Sequence, residues 1–69
     1  MEDYIEYVIT KKDGNDFITE DKNEADEKFE NLKLLDRLYE IEQYYKKVWV
    51  WDEEREDYVE DDVEVYYTK

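Results

Sequence analysis

Apolar and polar positions alternate from Tyr4 to Thr10, with Ile5, Tyr7 and Ile9 on one side and Tyr4, Glu6 and Val8 on the other. Period two in a run of β-branched and aromatic residues predicts a strand. The one glycine follows, in Lys11-Lys12-Asp13-Gly14-Asn15. Asp-Gly between two such runs predicts a hairpin, because glycine accepts the positive φ that tight turns require. Asp16 to Thr19, with Phe17 and Ile18, is the short returning strand.

From about Asp21 to Tyr45 the period lengthens. Ala25, Phe29, Leu32, Leu35, Leu38 or Tyr39, and Tyr45 recur at three- or four-residue steps, and neither Gly nor Pro interrupts them. That spacing predicts one long amphipathic helix of roughly six turns. Asp21 or Asn23 caps its start, Glu24, Asp26 and Glu27 suit the positive end of its dipole, and Lys46 and Lys47 suit the other end. Leu34 and Ile41 fall off the main stripe. Val48-Trp49-Val50-Trp51 is a further β run. After the charged link Asp52 to Glu56, a last segment spans Asp57 to Thr68, with Val59, Val63, Val65 and Tyr67 on one parity. Asp61 interrupts the apolar parity, which predicts a bulge, or else a tight turn at Asp61-Asp62. The reading is a single α+β domain over residues 1–69, β-β-α-β-β, with one helix packed on an antiparallel sheet.

Composition narrows what such a domain can do. Twenty-three Asp and Glu stand against 10 Lys and Arg, a net charge of −13, while 41% hydrophobic residues place the chain outside the disordered acidic class. A chain of 69 residues buries only about 60% of its unfolded surface, so the core is thin. There is no Cys, His or Ser. Disulfides, the usual zinc sites and the Ser-His and Cys-His nucleophiles are therefore excluded, and no enzyme is expected. The loop Asp13, Asn15, Asp21, Glu24 has calcium-like offsets, but Phe17 and Ile18 stand where a ligand and the turning glycine belong. No cofactor is expected. No apolar run reaches the roughly 20 residues of a membrane span, and the first residues lack signal-peptide character, which predicts a cytoplasmic protein. The charge repels nucleic acid and anionic membranes and attracts basic protein surfaces.

Nine acids lie in the 13 residues from Asp52 to Glu64: Asp52, Glu53, Glu54, Glu56, Asp57, Glu60, Asp61, Asp62 and Glu64, against Arg55 alone. One reading is a solubilising edge that blocks strand-to-strand aggregation. The sharper reading uses the strand period: Glu60, Asp62 and Glu64 stand about 6.8 Å apart on one face, an interval comparable to that between neighbouring phosphates. Glu20, Glu24, Glu27 and Glu30 supply a second row along the helix. Trp49 and Trp51 share the face opposite Val48 and Val50, together with Tyr58 or Tyr66. One helix covers one face of a sheet, so either this aromatic face is a protein interface, with a homodimer the preferred outcome, or the parity is reversed and the tryptophans form the core.

In size, acidity, lack of Cys and content of Tyr and Trp, the chain resembles the small phage-encoded DNA mimics that inhibit host DNA-binding proteins. These include inhibitors of uracil-DNA glycosylase, anti-restriction and anti-CRISPR proteins and an inhibitor of the nucleoid protein HU. The resemblance covers the whole chain and rests on no shared motif. It implies a partner that is a basic DNA-binding protein, such as a nucleoid protein, a defence nuclease or a repair enzyme. The alternative is a non-mimic adaptor that binds through Trp49, Trp51 and Tyr66.

Overall fold

The computed structural model describes all 69 residues: β1 (Tyr4–Lys11), β2 (Phe17–Thr19), α1 (Lys22–Leu34), a 3-10 turn (Leu38–Glu40), β3 (Ile41–Asp52) and β4 (Asp57–Thr68). One helix and one four-stranded antiparallel sheet make an α+β structure, with strand order β2-β1-β3-β4. The molecule is long and narrow, 46 × 21 × 18 Å. Its length comes from β3 and β4, each 12 residues, which run well past the 13-residue helix.

Local chemistry accounts for the boundaries. In the first turn Gly14 adopts φ 84°, and Asp13 accepts the backbone N–H of Asn15 at 2.9 Å. Asp21 is the N-cap of α1, accepting the N–H of Asn23 at 2.9 Å and satisfying a donor that the helix leaves free. At the far end, Asp36 takes φ 56° and the Arg37 N–H returns to the Leu32 carbonyl at 2.8 Å, while Asp36 N–H bonds Lys33. This is a Schellman cap with Asp where glycine is most at ease. Asp36→Gly is expected to stabilise the fold by about 0.5–1 kcal/mol, since the left-handed backbone then carries no Cβ penalty. A urea unfolding curve for the variant checks this, and a lower midpoint at unchanged slope refutes it.

The helix is much shorter than the predicted Asp21–Tyr45 span, and residues from Ile41 onward are strand. The cap at Asp36 stops the helix with neither Gly nor Pro to mark it, and the strand that follows contains a bulge. Thr10 pairs with Gln43 and Lys11 with Ile41, leaving Glu42 as an extra residue in β3. Ile41, which falls off the predicted stripe, and Tyr44 therefore both point to the core, whereas Tyr45, on the predicted stripe, lies on the other face of the sheet, paired with Val8 and Val65. Leu35, on the predicted stripe, is exposed instead, and so is Leu34, which falls off it.

Ile9, Ala25, Leu32, Ile41 and Tyr44 form the core, with Tyr7, Phe17, Phe29, Leu38 and Tyr67 packed around them. All lie at one end of the molecule, where α1 packs on β1 and β2. Tyr44 donates its hydroxyl to Asp26 at 2.6 Å, and Lys22 pairs with Asp26 at 2.7 Å. These bonds, Lys22 first, hold the Asp26 carboxyl below the usual carboxylate range, while burial and then Asp26 push the Tyr44 hydroxyl up. No helix is long and apolar enough to cross a membrane.

Candidate functional site

Two surfaces remain outside the core: the acidic β3–β4 hairpin and the sheet face away from the helix. The hairpin carries the nine clustered acids, and the pairing register sorts them into different roles. Asp52 builds the turn, its Oδ1 accepting the N–H groups of Glu54 at 3.0 Å and Arg55 at 3.3 Å. Asp57 accepts the N–H of Tyr58 at 2.7 Å. Glu53, Glu54 and Glu56 form the exposed tip, with Glu56 at φ 52°.

Further along β4, Trp49 pairs with Glu60 but Val48 pairs with Asp62, so Asp61 is the extra residue of a β-bulge. The structure thus selects the bulge over the tight turn. It also overturns the single carboxylate row predicted for Glu60, Asp62 and Glu64. An inserted residue reverses parity, so Glu60 lies on the face of Trp49 while Asp62 and Glu64 lie on the opposite face with Val48 and Lys46. Two of the three are moreover paired, Glu60 with Lys47 at 3.5 Å and Glu64 with Lys46 at 3.2 Å. The bond to Glu64 raises the Lys46 ammonium pKa. Asp61 and Asp62 are exposed and outside any ion pair.

Glu20 precedes the N-cap, and Glu24, Glu27 and Glu30 are exposed on α1. Steps of three drift around a helix of 3.6 residues per turn, so these acids wind along its outer side and make no straight row. Glu24 and Glu27 line a cleft with Phe17, Lys28 and Asn31.

The helix-free face holds an aromatic chain. Tyr4 stacks with Trp49 at 6.4 Å between centroids and meets Tyr58 edge-on at 4.7 Å; Tyr58 in turn meets Trp51 at 5.1 Å. Trp49 donates its indole N–H to Glu6 at 2.7 Å, and the Tyr58 hydroxyl bonds the Glu2 carbonyl at 2.9 Å. Lys47 spans the rings of Trp49 and Tyr45, 5.3 and 5.6 Å from their centroids. Withdrawal from water among these rings, and next the Glu6 carboxylate, push the Tyr4 hydroxyl up.

Trp49, Trp51 and Tyr58 are thus brought together as expected, and Tyr66 is not. Tyr66 is a second bulge residue of β4, between Tyr67 opposite Tyr44 and Val65 opposite Tyr45. It packs on the helix side, 5.0 Å from the Tyr44 ring and beneath the Lys22 ammonium at 5.4 Å. Tyr4, Tyr45, Glu6 and Lys47 were missed. Tyr4 and Glu6 already shared a strand parity in the sequence, but their place beside the tryptophans follows from the pairing of β1 with β3, which parity does not reveal. Comparison with known proteins gives no matching family model, no similar curated protein and no similar solved structure.

Proposed function

We propose that the protein is a DNA-mimic inhibitor, occupying the basic nucleic-acid-binding surface of a host DNA-binding protein and blocking its access to DNA. The observation that supports this reading is the linear density of charge on a narrow rod. Twenty-three carboxylates over a 46 Å long axis amount to about one per 2 Å, against one phosphate per roughly 1.7 Å of duplex. The net charge of −13 over the same length is about one per 3.5 Å, close to the roughly 3.4 Å spacing along a single strand.

Four ion pairs engage only Asp26, Glu40, Glu60 and Glu64, so most carboxylates are free to meet a partner. Arg and Lys side chains that read phosphates also bind carboxylates, Arg often through two parallel hydrogen bonds. The slender hairpin tip, with Glu53, Glu54 and Glu56 beyond the reach of the helix, has the shape to enter a groove. The mimicry rests on charge distributed around the rod and not on one ruled row.

Immobilised protein incubated with a bacterial lysate at low salt is expected to retain a basic DNA-binding protein that duplex DNA elutes, with retention falling steeply as salt rises. Retention that survives high salt, is indifferent to duplex DNA and is lost on replacing Trp49 and Trp51 by Ala refutes mimicry in favour of an adaptor acting through the aromatic face.

A further inference from the structure

We propose that a second copy of this chain covers the helix-free face of the sheet, the two sheets packing back to back about a two-fold axis with Trp49, Tyr4, Tyr58 and Trp51 at the seam. This goes beyond the proposed inhibition and does not depend on it.

Only six of 69 residues are buried, and five of them are the core beneath α1. The opposite face is left open although it is largely apolar: Val63, Val65 and Ile18 are 40%, 48% and 57% exposed there, beside the aromatic chain. Val8, 5% exposed, is the one residue of this face already withdrawn from water.

Charge identifies the occupant. Of the regularly paired strand residues on this face, three are charged: Glu6, Lys47 and Glu60, a net of −1 in a chain of −13. Each is engaged within the chain, Glu6 by the Trp49 indole and Lys47 by Glu60. A basic partner finds almost nothing to neutralise here and is drawn to the other surfaces. An identical copy meets a locally balanced, apolar face while the helices and hairpin tips, with the excess charge, point outward. The area permits this as well. The two longer extents, 46 and 21 Å, bound a face of about 970 Å2, against the roughly 800 Å2 per partner of a standard stable interface. Twisted sheets pack face to face about 10 Å apart, and a self-complementary patch closes as a two-fold dimer.

Salt separates this association from binding to a basic partner. Two bodies of −13 repel, so screening strengthens the dimer, whereas it weakens attachment to a basic protein. The test is sedimentation velocity of the purified full chain alone, at 50 and 500 mM NaCl, for the wild type, Val63→Arg/Val65→Arg and Leu34→Arg. Val63, Val65 and Leu34 are exposed, so folding tolerates the changes, which circular dichroism verifies. Each Arg lowers the net negative charge, so lost association cannot come from greater overall repulsion. The expected result is a wild-type dimer whose Kd falls on going from 50 to 500 mM, rises at least 10-fold in the double variant and is unchanged by Leu34→Arg. Leu34 marks the rival apolar patch at the helix end, with Leu35 and Tyr39. A monomer at 500 mM and 100 µM chain, or a dimer broken by Leu34→Arg and indifferent to Val63→Arg/Val65→Arg, overturns the proposal. Since no partner is present, either outcome leaves the mimicry reading to its own test.

Discussion

Ile9→Ala will destabilise the protein by about 2–5 kcal/mol, whereas Ile5→Ala, on the same strand and the same face, will cost less than about 1 kcal/mol. Ile9 is fully buried between Ala25, Leu32, Ile41 and Tyr44, and its truncation leaves a cavity that so few neighbours cannot close. Ile5 is 38% exposed and pairs with Val48 beyond the core that α1 covers. A domain of 69 residues has a total stability of about 3–10 kcal/mol, so the larger loss is a substantial part of the whole. Thermal melts followed by circular dichroism are expected to show Ile9→Ala unfolding well before the wild type and Ile5→Ala close to it. Equal losses at the two positions would show that the core extends under the hairpin, contrary to the packing described.

The second large effect concerns charge. Converting Glu53, Glu54 and Glu56 to Gln and Asp61 and Asp62 to Asn takes the net charge from −13 to −8. None of the five is in an ion pair, so the fold loses no partner contact and gains relief from like-charge repulsion. Asp52 and Asp57 are left in place because their carboxylates hold the turn; Glu60 and Glu64 are kept because Lys47 and Lys46 depend on them. Association with the basic protein retained on the immobilised chain is expected to slow by at least 10-fold at about 50 mM salt, with thermal stability equal or higher, because steering by the summed field governs the encounter. Stopped-flow Trp fluorescence reads the rate, and a change below twofold sinks the electrostatic mechanism.

The elements legible from sequence were those whose pattern is unbroken. Strand β1 alternates without interruption and is legible to within a residue of its end; Asp13-Gly14 marks its turn, and of the two caps the sequence offers for the helix, Asp21 and Asn23, the structure uses Asp21. Each of these is a local matter of backbone conformation and short-range hydrogen bonding. The errors fall at the end of the helix and where a bulge intervenes. Leu35, Leu38 or Tyr39, and Tyr45 keep a helical step past Leu34, where the chain turns at Asp36 with neither Gly nor Pro to mark the stop; the bulge at Asp61 puts Glu60 and Asp62 on opposite faces; and the bulge at Tyr66, offered with Tyr58 for the tryptophan face, leaves no mark in the residue types.

The candidate surface divides in the same way. Sequence alone determined the sign and amount of charge, its concentration between Asp52 and Glu64, the absence of Cys, His and Ser, and the sharing of one face by Trp49 and Trp51. These are sums and alternations along one strand. Only the tertiary structure decided which carboxylates are free and which are tied to Lys46 and Lys47, that Tyr4 links the tryptophans to Tyr58, and that the helix stops at Leu34 and leaves the hairpin uncovered. Those outcomes depend on register between strands distant in the chain, where one extra residue turns every later side chain to the other face.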